Sequence, residues 1–293
     1  MSQVLVNADD FGLTSGVNRA IAELHKAGLV TSTTLMARAG ATDEAIATAR
    51  ATPSLGVGCH VVLVDGEPVL PPQQIPSLID AQTGQFLPTL TQFLLRLLAG
   101  RMPAAEIEAE AGAQIGLLKA RGLRLTHVDT HKHTHMFPAV LRPVLRAARA
   151  AGVTAVRNPF EPVWAIRATP RAPWMRQAEE SALRWFEPAI RRLIAQEGFV
   201  TTDGTIGVLA TGTLDAASLS SLLQSLLLRV PEGTWELVTH PGYNDAGLKK
   251  VRTRLRASRE LEMAALRVIE GFPQIELVSF AALRAPSAPA TNL

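Results

Sequence analysis

The sequence predicts an α/β protein built on a parallel sheet, and three observations support this fold class. Short apolar runs alternate with amphipathic segments, which is the pattern of repeated strand–helix units. The length of 293 residues is normal for a single α/β barrel. A composition of 47% hydrophobic and 19% charged residues provides ample material for a core. We therefore predict one domain over residues 1–284.

Strands and helices alternate from the amino terminus. The first strand, at 4–6, ends in a polar loop at 7–12, and Thr14 or Ser15 caps a helix that ends at Gly28. Further strands are predicted at 30–36, 56–63, 125–128, 153–157, 207–209, 235–239 and 277–279, and further helices at 42–51, 89–100, 104–121 and 140–151.

Three segments interrupt this alternation. Residues 64–88 contain five prolines and little periodicity, so they are predicted to form a long loop, and loops of this length are usually functional. Residues 158–200 hold three of the four tryptophans and are predicted to be a hydrophobic insertion with its own helices. Residues 285–293 are rich in alanine and proline and are predicted to be a disordered tail.

The composition also narrows the location and the partners. Cys59 is the only cysteine, so no internal disulfide forms, and a reducing, cytoplasmic compartment fits best. The amino terminus lacks the pattern of a signal peptide, and no run approaches the ~18 apolar residues of a membrane span. The net charge is +3, but no stripe of interleaved basic and aromatic residues is present, so no nucleic-acid partner is expected.

The densest concentration of charge is a basic run near the carboxyl terminus. One interpretation is a solvated helix face. The other is peripheral contact with an anionic surface, such as the inner face of the membrane, or with a substrate phosphate. The sequence leaves both interpretations open. The run consists of Lys249, Lys250, Arg252, Arg254, Arg256 and Arg259.

Four polar clusters follow predicted strands and carry the candidate chemistry. In parallel α/β folds the loops at the carboxyl ends of the strands share one face, so clusters that are distant in sequence meet there. Two histidines and a carboxylate suit Zn²⁺ and related divalent ions, and a bound ion lowers the pKa of its water toward ~7. The clusters are Asp9 with Asp10, His60, the run of His127, His131, His133 and His135, and His240.

Each cluster also has a purely structural interpretation. Two adjacent aspartates are typical of a helix-capping loop, His60 of a core histidine, and His240 of a simple turn. Consecutive strand residues point to opposite faces, so Asp9 and Asp10 both enter one site only if the strand has ended at Asp9. For the same reason Cys59, which precedes His60, is predicted to face the core.

The histidine run is harder to explain by structure alone. Whether the run is extended or helical, His127, His131 and His135 share a face. The alternative is a solvated run that binds metal adventitiously. Because a single ion cannot take every histidine as a ligand, some of them are expected to orient the others through hydrogen bonds.

Together the motifs resemble those of a known family. The segments NADDFG at 7–12, GCH at 58–60, HVDTHKHTH at 127–135 and THPG at 239–242 resemble, in this order, the motifs of the YdjC-like carbohydrate deacetylases. One departure is Cys59, where the family often has leucine. The resemblance implies a distorted (β/α) barrel related to polysaccharide deacetylases, and metal-dependent removal of an N-acetyl group from an amino sugar.

The resemblance also implies a metal site. Asp10, His60 and one histidine of the run would bind a single divalent ion, and we choose His131 over His127. Zn²⁺ is the expected ion, and Mg²⁺, Co²⁺, Mn²⁺ and Ni²⁺ are the alternatives, because affinity order alone does not decide which ion occupies a site.

The remaining implied roles are catalytic or concern the substrate. Asp9 would be the general base, and Arg157 would orient it. His240 would be the general acid that protonates the departing amine, which carboxylates do poorly at neutral pH. His133 and Trp164 are predicted to contact the substrate.

Some details are similar to the branch of the family linked to hopanoid lipid biosynthesis. They are VLVDGEPVLP at 62–71, HKH at 131–133 and VRNPFEP at 156–162. The resemblance implies an N-acetylglucosaminyl hopanoid as substrate, which the apolar stretch 158–186 would cradle. A soluble chitooligosaccharide deacetylase, a metallo-phosphoesterase and a non-enzymatic lipid-binding protein are the alternatives. The sequence indicates no oligomeric state.

Overall fold

The structure is a computed structural model that describes residues 2–169, 183–230 and 232–283. In these residues seven strands form one sheet in which every pair is parallel, and this confirms the predicted fold class. The strands are β1 (Gln3–Phe11), β2 (Ser32–Leu35), β3 (Gly56–Val61), β4 (Val128–Thr130), β5 (Gly204–Ile206), β6 (Thr234–Thr239) and β7 (Glu276–Leu277). Their order is β4-β3-β2-β1-β6-β5, and β7 pairs with the first residues of β1.

Helices connect the strands and supply much of the core. The α-helices in the described residues are α1 (Ser15–Lys26), α2 (Thr42–Ala51), α3 (Leu90–Leu98), α4 (Ala104–Ala120), α5 (Pro138–Ala150), α6 (Val163–Ala168), α7 (Glu187–Gln196), α8 (Ala216–Arg229), α9 (Ala246–Lys250) and α10 (Ser258–Ala265). Short 3₁₀ helices lie at Pro72–Gln74, His131–Met136, Arg184–Phe186, Leu266–Gly271 and Phe280–Ala282.

The first helix shows how the sequence specifies these elements. Thr14 caps α1 by accepting a hydrogen bond from the backbone N–H of Val17 at 3.3 Å, as expected for a threonine at this position. The apolar positions Val17, Ile21 and Leu24 are buried against the sheet side of the core. Burial of each such side chain contributes about 1.5–3 kcal/mol. The carboxyl end of β1 is therefore held next to a firmly packed helix.

The sheet curls until its two outer strands approach each other. Val128 of β4 forms a parallel bridge with Val156, and Ala155 forms one with Val200. On the other side, the backbone N–H of Thr205 in β5 donates to the carbonyl of Phe160 at 3.1 Å. The segments around 155–160 and 200 thus connect β4 to β5, and the strand predicted at 153–157 is reduced to these isolated bridges.

Several strand positions differ from the prediction, most of all the first, which was predicted at 4–6 and extends from Gln3 to Phe11. The strand predicted at 125–128 lies at Val128–Thr130, because the ladder with β3 pairs these residues. The strand predicted at 207–209 lies at Gly204–Ile206. Gly207 has a φ of 90°, and the Glu161 carboxylate accepts the N–H groups of Gly207 at 3.0 Å and Leu209 at 2.7 Å. These bonds turn the chain away from the sheet.

The structure describes part of the predicted insertion and none of the predicted tail. In the insertion, α6 and α7 are helices, while residues 170–182 and the tail at 285–293 lie outside the described residues. The loop predicted at 64–88 contains a single 3₁₀ turn. Within the described ranges, none of the helices combines the length and the apolarity needed to cross a bilayer.

Candidate metal centre and active site

An irregularity in β1 brings two adjacent aspartates to one site. The strand continues past Asp9 to Phe11, and its register against β2 shifts between Ala8 and Phe11. Asp10 has a φ of 66°, which is uncommon for a residue with a side chain and costs backbone strain. The prediction of a strand at 4–6 followed by a polar loop at 7–12 is therefore wrong, and both aspartates enter one site although the strand does not end at Asp9. The irregularity at Asp10 interrupts the alternation of side chains, so both carboxylates lie near His60.

Asp10, His60 and His131 form the candidate metal centre. One ligand atom of each lies within 4.8 Å of the others. Asp10 Oδ1 is 3.6 Å from His60 Nε2 and 3.5 Å from His131 Nδ1, and the two imidazole nitrogens are 3.2 Å apart. One carboxylate oxygen and two imidazole nitrogens suit Zn²⁺ and related divalent ions, with positions left for water. These residues therefore fit a metal ion.

Hydrogen bonds at the other ring nitrogen fix the orientation of His60. Its Nδ1 lies 2.8 Å from Asp129 Oδ1 and 3.1 Å from Thr34 Oγ1, which leaves Nε2 facing Asp10. A carboxylate on the outer nitrogen of a ligand histidine is usual at metal sites. Burial alone would lower the pKa of His60, but the Asp129 carboxylate raises the pKa to about 9. Asp129 is thus a positioning residue for His60.

Arg157 is fully buried and holds Asp9 with two hydrogen bonds. Its Nη1 donates to Asp9 Oδ2 at 2.9 Å and its Nη2 to Asp9 Oδ1 at 2.6 Å. Burial alone would raise the pKa of Asp9, but the Arg157 guanidinium holds it well below its usual range. Asp9 is therefore ionised at neutral pH and fixed in one orientation, which is the arrangement that the predicted role of Arg157 requires.

Two more carboxylates share the same guanidinium. Arg157 pairs with Asp129, and its Nε donates to Glu236 Oε1 at 2.7 Å. Asp9, His60 and Asp129 also lie within metal-binding distance of one another. This second set of residues suits a metal ion less well than the first. Arg157 already pairs with both of its carboxylates, and the nitrogen of His60 that faces this set is hydrogen-bonded to Asp129.

Glu236 was not among the predicted site residues. It is buried in β6, and this burial raises its pKa to about 7, although Arg157 beside it acts in the opposite direction. A glutamate inside the apolar strand Thr234–Thr239 is the sequence signal that would have found it. The positive charge of Arg157 beside it offsets part of the cost of burying the Glu236 carboxylate.

His240 follows β6 and lies between two carboxylates. Its Nε2 is 3.8 Å from Asp9 Oδ2, and its Nδ1 is 3.6 Å from Glu262 Oε2. The same Glu262 oxygen accepts the backbone N–H of His240 at 2.7 Å. Burial alone would lower the pKa of His240, but Glu262 raises it, so the protonated imidazole is favoured. A protonated histidine beside a candidate base has the properties of a general acid.

Arg259 corrects the interpretation of the basic run. Both interpretations placed its side chain at the surface, but Arg259 is 1% exposed and its Nη2 donates to Asp10 Oδ2 at 2.5 Å. Burial alone would raise the pKa of Asp10, and Arg259 holds it well below its usual range. Glu262 lies three residues later on the same face of α10. The exposed members of the run are Lys249, Lys250, Arg252 and Arg254.

His127 lies apart from the candidate metal centre. It is fully buried and stacks on Phe280, with ring centroids 3.7 Å apart. Gly58 makes room for this ring, because a Cβ at that position would lie 2.6 Å from His127 Cε1. The structure therefore brings His131, and not His127, to Asp10 and His60.

His133 offers an unused ring nitrogen. The left-handed backbone of Lys132 and His133 interrupts the 3₁₀ segment His131–Met136, so the histidine run is neither extended nor regularly helical. Within the described residues, His133 Nδ1 is buried without a hydrogen-bond partner. Burial and the nearby Arg157 charge lower the pKa of His133 to about 3, so the ring is neutral. A neutral imidazole with an open nitrogen suits a sugar hydroxyl, and the predicted substrate contact stays a prediction.

Trp164 lies away from these residues. Its ring packs edge-on against Trp235, with centroids 5.3 Å apart. Trp235 pairs with Val4 near the amino end of β6, whereas His240 follows the carboxyl end of that strand. Within the described residues Trp164 thus has a packing contact with Trp235, and its predicted contact with the substrate stays a prediction. Trp185 in the same stretch is 87% exposed.

These features define a class: a parallel α/β protein with a candidate metal centre and a buried acid–base pair at the carboxyl ends of its strands. The chain belongs to the YdjC-like protein family, whose model matches residues 3–269. The predicted family is therefore confirmed, while the hopanoid-linked branch stays a prediction.

Two relatives match this chain, one over nearly its whole length and the other over about half of it. A carbohydrate deacetylase of Brevibacillus brevis is 32% identical over 285 residues, which cover 96% of this chain and 99% of that protein. A chitooligosaccharide deacetylase of Salmonella paratyphi B is 37% identical over 152 residues, which cover 51% of this chain and 57% of that protein.

The fold is also found in a solved structure. A protein from Enterococcus faecalis, named for a proposed cellobiose-phosphate cleavage activity, superposes with a TM-score of 0.74 and 25% identity. The match covers 95% of this chain and 97% of that one. The curled parallel sheet is thus shared over nearly the whole length of both proteins.

Proposed function

We propose that this protein is a metal-dependent carbohydrate deacetylase that hydrolyses the acetamide of an amino sugar and releases acetate. The observation that carries the proposal is the meeting of the Asp10–His60–His131 centre with the buried pair Asp9 and His240. The names of the two curated relatives, carbohydrate deacetylase and chitooligosaccharide deacetylase, support the same reaction.

Asp10, His60 and His131 would hold one divalent ion. Zn²⁺ is the first expectation, and Mg²⁺, Co²⁺, Mn²⁺ and Ni²⁺ are the alternatives. Such an ion lowers the pKa of water at the site and polarises a carbonyl group. Asp129 and Arg259 hold two of the three ligands in place through hydrogen bonds.

Asp9 is the proposed general base. It takes one proton from the water that adds to the acetyl carbon, and Arg157 keeps its carboxylate from rotating. A carboxylate with a lowered pKa is a weak base, so the transfer to Asp9 requires a water that is already acidified at the site. Arg157 therefore fixes the orientation of the Asp9 carboxylate and at the same time lowers its basicity.

His240 is the proposed general acid. When the C–N bond breaks, the departing amine takes a proton from His240 Nε2, and the acetyl group leaves as acetate. Glu262 keeps the imidazole protonated before this step by raising its pKa. Asp9 thus accepts a proton from the attacking water, and His240 donates a proton to the departing amine.

Metal removal and acetate detection test this proposal. Purified protein whose metal content has been measured is incubated with an N-acetylglucosamine oligomer before and after treatment with a chelator. We expect one acetate per deacetylated sugar, loss of activity after chelation, and recovery on addition of Zn²⁺ or another divalent ion. Unchanged acetate release by metal-free protein would contradict the proposal.

For the natural substrate we propose an N-acetylglucosaminyl hopanoid glycolipid. Support comes from the segments at 62–71 and 156–162 and from the exposed Trp185. The apolar stretch 158–186 supports a lipid substrate less than expected. Phe160 is buried in the core, and Trp164 packs on Trp235, so both rings already have packing contacts within the protein. Trp174 and Met175 lie outside the described residues. A soluble chitooligosaccharide is the second candidate, which the Salmonella relative favours.

A pair of substrates separates the two candidates. We expect a hopanoid-linked N-acetylglucosamine to be deacetylated with a higher kcat/KM than a soluble oligomer, and Trp185→Ser to lower only the value for the lipid. Leu228→Ser is the control, because Leu228 is 84% exposed and lies on α8. Equal kcat/KM values for both substrates would count against the lipid.

Peripheral contact with an anionic membrane face is part of the same proposal, and the exposed lysines and arginines at 249–254 support it.

Two other classes of protein would give different results in these assays. A phosphoesterase of the two-metal type would bind two ions per chain and release phosphate. A lipid-binding protein would keep its ligand after metal removal and release no acetate.

A further inference from the structure

Arg259 and Asp10 form a buried ion pair that the proposed reaction does not use directly. The two residues lie 249 positions apart in the chain, and both side chains are almost fully buried. Asp10 Oδ2 accepts a hydrogen bond from Arg259, while Asp10 Oδ1 faces His60 Nε2 and His131 Nδ1. The two oxygens of one carboxylate therefore have separate partners.

We propose that Arg259 is a positioning residue that reserves a single oxygen of Asp10 for the metal ion and thereby sets the affinity of the site. This inference rests on the metal dependence of the proposed function. By engaging Oδ2, Arg259 leaves Oδ1 as the only Asp10 oxygen directed at the two histidines. Coordination positions that a second carboxylate oxygen would fill stay available for water and substrate.

The surroundings of Arg259 argue against a purely stabilising role. Within the described residues its Nε and Nη1 have no hydrogen-bond partner, although the side chain is 1% exposed. Burying an arginine with unpartnered nitrogens is unfavourable, and buried ion pairs often add little net stability. The hydrogen bond that Arg259 donates to Asp10 therefore explains this buried arginine better than a contribution to stability does.

The local structure holds Arg259 in this position. Arg259 projects from α10, and Gly242 of the THPG motif lies against it, since a Cβ at Gly242 would be 3.0 Å from Arg259 Cδ. Asp10 itself has a left-handed backbone, with a φ of 66°, so its side chain has an uncommon direction. Among the described residues Arg259 supplies the hydrogen bond to Oδ2, so its loss would remove the contact that holds the carboxylate in that direction.

Binding of Co²⁺ tests the inference, because its visible absorption reports coordination. Metal-free wild-type protein and the Arg259→Met, Arg259→Lys and Arg254→Gln variants are titrated with Co²⁺ in competition with a chelating indicator. Arg254 is exposed and lies in the same basic run, which makes it a matched control. Thermal melting of each metal-free variant shows how much of the protein is folded.

We expect Arg259→Met to weaken Co²⁺ binding about 10- to 100-fold, the usual effect of losing a partner that orients a metal ligand, and to change the absorption spectrum. Arg259→Lys should give an intermediate affinity, because lysine keeps the charge and one donor. Arg254→Gln should match the wild type.

Wild-type affinity and spectrum in folded Arg259→Met would overturn the inference, since a merely structural arginine would change only the melting temperature. If Arg259→Met does not fold, Arg259→Lys decides, and wild-type Co²⁺ affinity in that variant is the contradicting result. A wild-type protein that binds no divalent ion would instead refute the proposed function.

Discussion

Arg157 holds both carboxylate oxygens of Asp9, at 2.6 and 2.9 Å, inside the curled sheet. Arg157 lies in the segment that bridges β4 and β5, and Asp9 lies in β1, so the pair joins segments that are 148 residues apart. Asp129 and Glu236 share the same guanidinium. The candidate base is therefore oriented by a buried charge network.

Replacing Arg157 with lysine should lower activity without removing the metal. Lysine keeps the positive charge but donates from one point, so Asp9 loses its two-point hold. We expect kcat to fall about 10- to 100-fold, as for a reacting group displaced by about 1 Å. Steady-state kinetics and metal analysis of Arg157→Lys check this, and an unchanged kcat would show that orientation of Asp9 is unimportant.

The pH profile should respond to Glu262. This carboxylate raises the pKa of His240, which must be protonated to act as an acid. Activity therefore falls as the pH rises through that pKa. In Glu262→Gln the pKa of His240 is lower, so we expect the fall in kcat to begin at a lower pH. The control is Glu260→Gln, which changes an exposed residue of the same helix. A profile that does not move would mean that His240 is not the acid.

Metal content should distinguish the two histidines that the sequence left as alternatives. His131 lies 3.5 Å from Asp10, whereas His127 stacks on Phe280. We expect His131→Gln to lose bound metal and His127→Leu to keep one ion per chain. Elemental analysis of the purified, folded variants decides, and the opposite pattern would make His127 the ligand.

Two glycines should respond in opposite directions to alanine. A Cβ at Gly58 would lie 2.6–2.7 Å from three atoms of the His127 ring, whereas a Cβ at Gly116 would have no neighbour within 4 Å in the described part of the chain. We expect Gly58→Ala to lower the free energy of unfolding by about 1–3 kcal/mol through overpacking. Gly116→Ala, inside α4, should raise it by about 0.5–1 kcal/mol. Denaturant unfolding measures both, and a Gly58→Ala variant of wild-type stability would contradict the packing described.

Periodicity and strand-end positions were sufficient to predict the parallel α/β fold and the meeting of four clusters at the carboxyl ends of the strands. Apart from the carboxyl end of β1, alternating apolar segments located the early strands and helices to within a few residues, and α2 lies at the predicted 42–51. Because parallel strands end on one face, Asp9, His60 and His240 were expected to converge, and they do.

What the sequence did not reveal depends on backbone irregularity and tertiary pairing. The irregularity at Asp10 has no pattern in the sequence, so the entry of both aspartates into one site was predicted to require a strand that ends early. Arg259 belongs to a basic run, and its burial depends on its contact with Asp10, which is 249 residues away in the sequence. Trp164 was predicted to contact the substrate because it lies in an apolar stretch, and that role stays a prediction, but its packing on Trp235, 71 residues later in the sequence, was not predicted.

The role of Asp9 is the central claim, and acetate release by Asp9→Asn tests it most directly. Asparagine keeps the shape of the side chain but accepts a proton poorly, and the Asp10–His60–His131 centre is left intact. In metal-loaded protein we expect kcat to fall about 10²- to 10⁴-fold with one ion still bound, while Asp43→Asn, an exposed control, stays at the wild-type rate. A metal-loaded Asp9→Asn variant with near-wild-type kcat would contradict the account.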